Sequence, residues 1–236
     1  YTAYDVTGDG TKDKIRIRAS NQTDDEAYSS LTVSVNGKTA YRLKNTRFYN
    51  VIANIYTLKN GQPFLYLYAP AENGDGPVCA LLKYTNGKFR KALDFTEIMA
   101  GYGDHRIGEV TNLNGNKIVI TESIVSYSLG INAINFTYEY VNRKFVPTSR
   151  YGSYKEIYSA DGSSRYFTVN SDLPVYTRPG ATAVNTTLKT GSLTKIIKCA
   201  LINGKMYIQL ECDGEIYWIK ALENPPISDS KRQFME

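Results

Sequence analysis

Asn203-Gly204-Lys205-Met206-Tyr207-Ile208-Gln209-Leu210 begins with a short-range hairpin signal. Asn and Gly both tolerate positive φ, so the pair fits a two-residue turn whose twist matches that of the flanking strands. Such a turn sets Ile202 opposite Lys205, Cys199 opposite Ile208 and Cys212 opposite Lys195. Cys199 and Cys212 do not face each other in that register, so no direct cross-strand disulfide is expected. The same punctuation recurs at Asn36-Gly37, Asn60-Gly61 and Asn86-Gly87. Between these turns lie short alternating runs: Ile15-Arg16-Ile17-Arg18, Leu31-Thr32-Val33-Ser34-Val35, Phe64-Leu65-Tyr66-Leu67-Tyr68 and Ile118-Val119-Ile120-Thr121. Alternation with period two marks a strand. The chain therefore reads as all-β, built from successive antiparallel hairpins. One stretch departs: residues 94–101, ending in Gly101, read as one or two helical turns.

Composition agrees with a folded chain of one large or two smaller domains. Of 236 residues, 42% are hydrophobic and 22% charged, enough apolar material for a core. The 20 Tyr are unusual; Tyr suits half-buried sheet surfaces, where the ring packs and the hydroxyl reaches water. The net charge of +5 is modest, and Lys83, Lys88, Arg90 and Lys91, its densest group, are interleaved with strand residues. A nucleic-acid partner is not expected, because that function concentrates basic residues on one stripe. The three cysteines, Cys79, Cys199 and Cys212, form no CxxC pair, which argues against structural zinc and favours small buried hydrophobes. No run approaches the length of a membrane-spanning helix. The chain opens at Tyr1 rather than Met and is read as mature or trimmed.

A loose repeat fills the first part. Ile55 to Gly61 followed by Phe64 to Leu67 resembles Glu109 to Gly115 followed by Ile118 to Thr121. Each then runs into two further strands, Val78 to Tyr84 with Lys88 to Leu93, and Ile134 to Tyr140 with Lys144 to Pro147. Four strands per unit is the size of a propeller blade, and Tyr4 to Leu43 fits an earlier, degenerate unit. Residues 1–154 are thus expected to form an antiparallel β-meander or a partial, propeller-like domain.

Its sharpest motif is Asp5-Val6-Thr7-Gly8-Asp9-Gly10-Thr11-Lys12-Asp13. Oxygen-bearing side chains at alternating positions, folded around a Gly turn, suit calcium, which takes six to eight oxygen ligands. The candidate ligands are Asp5, Thr7, Asp9, the backbone carbonyl of Thr11, and Asp13. The alternative is an Asx-type turn that opens a hairpin without metal. The loop resembles that of FG-GAP and VCBS repeats, where Asp-x-Asp-x-Asp-Gly-x-x-Asp leads into a strand. Thr7 departs from that pattern by removing one charge.

The last third carries an ordered series: Val175-Tyr176-Thr177-Arg178-Pro179-Gly180, Leu188-Lys189-Thr190-Gly191, Tyr207-Ile208-Gln209-Leu210, Tyr217-Trp218-Ile219 and Lys220-Ala221-Leu222. This order resembles the bacterial SH3-like domain. The resemblance implies a small β-barrel over 163–223, with Val175, Leu188, Ile196, Ile208, Leu210 and Ile219 inside, followed by a tail over 224–236. Met206-Tyr207 and Ile216-Tyr217 depart from the family pattern. The resemblance further implies an exported bacterial protein, extracellular or at the cell surface, binding peptidoglycan, another wall polymer or a protein partner. Tyr176, Arg178, Tyr207, Tyr217 and Trp218 are the candidate ligand-binding residues, although a lone Trp also serves as a packing residue.

Distinctive catalytic chemistry is absent from the sequence. The only histidine is His105, no cysteine sits in a nucleophile motif, and no phosphate-cradling loop precedes a helix. Glu109, Glu122 and Glu139 are generic candidates for two-carboxylate glycosidase chemistry. The leading expectation is a non-enzymatic envelope protein. A purely structural interaction module and a glycan-processing enzyme are the alternatives.

Overall fold

Three Asn-Gly turns have the predicted backbone. Asn36, Asn86 and Asn203 each have φ of 50°, and Gly37, Gly87 and Gly204 follow at 81°, 78° and 68°. These are two-residue turns with positive φ at both positions. At Asn60-Gly61 only the glycine is left-handed, with φ of 80°, and the loop is longer, running from Thr57 to Pro63. The computed structural model describes residues 1–23, 25–72, 74–99, 101–126, 129–159, 162–163 and 165–221. The 224–236 tail and Leu222 lie outside the described residues.

The fold is all-β, in several antiparallel sheets, none of them closed. Strands β1 (Ile15–Gln22), β2 (Tyr28–Val35) and β3 (Lys38–Phe48) form one sheet in chain order. Strands β4 (Ile52–Thr57), β5 (Pro63–Ala69), β6 (Val78–Thr85) and β7 (Lys88–Asp94) form the next. The predicted helical stretch is a single 3₁₀ turn, Phe95–Glu97, capped by Asp94, whose side chain accepts from the Thr96 amide at 3.3 Å. Strands β8 (Gly103–Asn114), β9 (Lys117–Ser126), β10 (Gly130–Val141) and β11 (Lys144–Pro147) again pair in chain order. They belong to a ten-stranded sheet that continues through β12 (Tyr151–Ser159), β17 (Leu193–Ile202), β18 (Lys205–Cys212) and β19 (Glu215–Lys220).

The chain packs as two compact units. The first comprises Tyr1–Ile98 with Asn112–Ile118 and Glu139–Val146; the second comprises Met99–Thr111, Val119–Tyr138 and residues from Pro147 onward. Residues 154–163, where the sequence reading placed a boundary, lie within the second unit.

In the first unit β5 is buried along its whole length. Its two faces do different work, because successive side chains point to opposite sides. Leu65, Leu67 and Ala69 join Leu31, Val33 and Phe48 in one apolar core. Phe64, on the other face, packs on Tyr140 and Phe145 with ring centroids 4.9 and 5.0 Å away. A strand covered on both sides explains why Pro63 to Ala69 is nearly all apolar or aromatic rather than alternating with charged residues.

In the second unit β17 changes partner. Its early residues pair with β14 (Tyr166–Thr168), through Tyr166 with Lys195. Its later residues pair with β12, through Tyr151 with Ala200 and Gly152 with Cys199. The change accompanies a bulge between Ile196 and Lys198. The bulge also corrects the expected register. Cys199 faces Ile208, but Lys195 faces Glu211, because the inserted residue shifts the pairing by one; Cys212 faces Glu215 across the next turn. All three cysteines are buried and none is in a disulfide, and burial pushes the Cys199 thiol up to about 12. Strand β15 (Leu173–Val175) pairs with β16 (Thr186–Leu188). Tyr176 then exchanges two backbone hydrogen bonds with Trp218, each 2.8 Å, tying the end of β15 to β19. Val175, Leu188, Ile196, Ile208, Leu210 and Ile219 are all buried.

Tyr154, on β12, is buried, and its hydroxyl has no hydrogen-bond partner among the described residues. Burial, then the nearby Cys199, pushes its pKa well above the usual tyrosine range. An unsatisfied buried hydroxyl costs free energy. Tyr154→Phe is therefore expected to leave stability unchanged or raise it by up to about 1 kcal/mol, read as an unchanged or higher urea midpoint. A clear drop in that midpoint would show that the hydroxyl contributes.

Candidate functional site

The N-terminal loop satisfies itself. Asp13 is 1% exposed. Its Oδ2 accepts from the Val6 and Thr7 amides at 2.7 and 2.9 Å, and its Oδ1 accepts from Asn36 Nδ2 at 2.6 Å. The Thr7 hydroxyl lies 3.3 Å from the same Oδ1 and 3.2 Å from Asp5 Oδ1. Asp5 accepts the Gly8 and Gly10 amides at 2.6 and 2.7 Å, and Asp9 accepts the Thr11 amide at 2.8 Å. Desolvation, the largest single effect, raises the Asp5 pKa, but the hydrogen bonds from Gly10, Gly8, Thr7 and Asp9 together outweigh it and hold the carboxyl below the usual range.

A carboxylate offers about four lone-pair sites. Those of Asp13 are taken by three N–H groups and the reach of one hydroxyl. As arranged, the buried Asp13 carboxylate would have to give up amide donors to join Asp5, Thr7, Asp9 and Thr11 around a calcium ion. Among the described residues no group of three or more His, Cys, Asp or Glu could hold a metal ion. The loop is a turn closed by its own backbone donors. It borders an open groove of about 500 Å³ that Tyr4, Gln62 and Tyr84 also line.

The second candidate site is built on one face of the sheet β12-β17-β18-β19. Cross-strand partners share a face. One row is therefore Tyr151, Ala200, Tyr207 and Lys220. The adjacent row is Ser153, Lys198, Gln209, Trp218 and Tyr176. Ala200, Tyr207 and Trp218 form a small buried cluster, and Tyr151, Tyr176 and Ile202 pack against it half-buried. The Tyr151 and Trp218 rings lie 6.0 Å apart at 36°.

Cations sit over this cluster. Lys198 Nζ is 4.5 Å and the Arg150 guanidinium 5.3 Å from the Tyr151 ring centre, and Lys220 Nζ is 5.8 Å from that of Tyr176. These contacts are cation–π pairs. A shallow pocket of about 240 Å³, lined by Tyr102, Lys205, Tyr207 and Lys220 among others, lies at its edge.

Three of the five predicted aromatic-site residues thus come together: Tyr176, Tyr207 and Trp218. Tyr217 pairs with Leu210 and points to the opposite face. Arg178 is exposed on the loop after β15, outside the cluster. Trp218 is 5% exposed and Tyr207 7%, so both support the site from beneath; the accessible rings are those of Tyr151 and Tyr176. Tyr151, Lys198 and Lys220 were not singled out from sequence. The Asn203-Gly204 and Asp213-Gly214 turns together would have aligned Ala200, Tyr207 and Lys220 on one row.

Of the generic acids, Glu122 is fully buried, with no surface to offer a substrate; Glu109 is exposed and Glu139 half-buried. Burial, and after it the Glu122 carboxylate, pushes the Tyr138 hydroxyl up to about 12. His105 lies on β8, but its side chain is outside the described residues. No protein-family profile, curated protein or solved structure matches this chain.

Proposed function

We propose that this chain is a non-catalytic binding protein of the bacterial cell envelope, exported, with an SH3-like module over 163–223 that attaches it to peptidoglycan. The observation that carries the reading is the gathering of Tyr176, Tyr207 and Trp218, with Tyr151, on one sheet face. Strand order supports the module: β14, β17, β18 and β19 follow by pairing, and the Tyr176–Trp218 bridge links β19 to β15 and β16. The chain-order pairing within β1–β3, β4–β7 and β8–β11 supports a propeller-like scaffold for the rest. Half-exposed tyrosine rings suit sugar rings and peptide methylenes, since each offers an apolar face with a polar rim.

The test is sedimentation of the full chain with purified peptidoglycan. Retention that falls in Tyr176→Ala, whose backbone bridge to Trp218 needs no side chain, is expected. Failure of the intact chain to sediment would overturn the reading. A second reading, an interaction protein whose SH3-like module serves packing alone, is favoured by the burial of Trp218. It predicts no retention in either protein.

A further inference from the structure

We propose that the face carrying Tyr151 and Tyr176 takes an acidic glycan, sugar rings on the two tyrosines and acidic groups on Arg150, Lys198 and Lys220. This deepens the envelope-binding reading and rests on it for the site, not for the ligand. The first argument is charge. Three cations converge on one aromatic cluster, at 4.5 to 5.8 Å from its rings. Among the described residues the ion pairs formed are Arg47 with Asp25, Lys91 with Asp94 and Lys189 with Asp172, and none of the three cations is in one. Arg150 and Lys220 are exposed and Lys198 half-buried, so an incoming anion meets them without first displacing a carboxylate of the described residues.

The second argument is shape. The row from Tyr151 to Lys220 crosses four neighbouring strands, three spacings of about 4.8 Å, or roughly 14 Å. An extended polymer lying across the strands would meet ring, amide and ammonium in turn, with Gln209 between Lys198 and Trp218. The ring positions are fixed from below by Trp218 and by backbone pairing, so little ordering is lost on binding. A single-stranded nucleic acid is also anionic and stacks on aromatics. Here, however, the rings are half-buried and two lysines lie over them, which suits edge-on sugar contacts better than base stacking.

Full-length protein would be titrated with polygalacturonate, neutral dextran of similar length and a single-stranded DNA oligonucleotide. Calorimetry and the fluorescence of Trp218, the single tryptophan, give two independent readouts. Saturable binding to polygalacturonate is expected, lost toward about 1 M salt, where screening acts within about 3 Å. The double variant Lys198→Gln/Lys220→Gln should bind roughly tenfold more weakly, as for two exposed charge contacts. Dextran should not bind. Equal binding to dextran, no loss in the double variant, no binding of polygalacturonate, or an oligonucleotide bound as tightly would each overturn the assignment. Retention on peptidoglycan without polygalacturonate binding sinks the acidic-glycan assignment alone. The reverse result sinks the peptidoglycan reading alone.

Discussion

Asp13→Ala is expected to destabilise the first unit by about 3 kcal/mol or more, the scale for removing a charged acceptor from several buried donors. The substitution strands the Val6 and Thr7 amides and the Asn36 side-chain amide, which now meet one carboxylate at 2.6 to 2.9 Å. Asn36 also accepts from the Lys14 amide at 2.8 Å, so the clasp joins the loop to the β2–β3 turn. Asp13→Asn should not rescue, because its amide would point a donor at other donors. Urea unfolding measures the loss as a lower midpoint at unchanged slope. Calcium or a chelator should leave the midpoint of the unsubstituted protein where it is. A rise with calcium that disappears in Asp9→Ala would show instead that the loop rearranges to bind metal.

Gly152→Ala should cost about 3 kcal/mol, at the upper end of the range for overpacking. A methyl group there would lie 2.5 Å from Phe136 Cε1 and 2.7 Å from Ile134 Cγ2. The neighbouring strand therefore lays its side chains over a position that must carry none, as is common where glycine interrupts a strand. Phe136→Leu in the Gly152→Ala background should recover part of the loss, because the two changes share one volume. Equal stability of Gly152→Ala and the parent, or strict additivity of the pair, would refute this account.

Much of the architecture was legible because the signals were local. Turn residues state their φ preferences directly, so Asn36, Asn86 and Asn203 announced their hairpins, and alternation placed the strands between them. Long-range pairing is not written locally. Nothing near Tyr151 says that Ala200 will be its neighbour, and nothing near Ile197 marks a bulge, so the Cys212 register came out one residue wrong. The N-terminal loop shows a different limit. Oxygens spaced for a cation are equally spaced for backbone N–H groups. Spacing alone does not say that the loop's own amides point inward, as those of Val6, Thr7, Gly8 and Gly10 do. Trp218 was readable as either ligand contact or packing residue; its burial by Tyr151 and Tyr176 required knowing where those rings fall.

The change of partner along β17 bears on how such a module can be inherited. A domain that travels between proteins as a cassette should carry its own strand partners within its borders. Here the stretch around Lys198 to Ala200 finds its neighbour in Tyr151 to Ser153, upstream of the resemblance. Recombination at that border would leave behind a strand lacking its neighbour on one side, an edge open to any passing chain. The C-terminal third thus shares its sheet with the strand before it, where Gly152 faces Cys199 and Tyr151 faces Ala200.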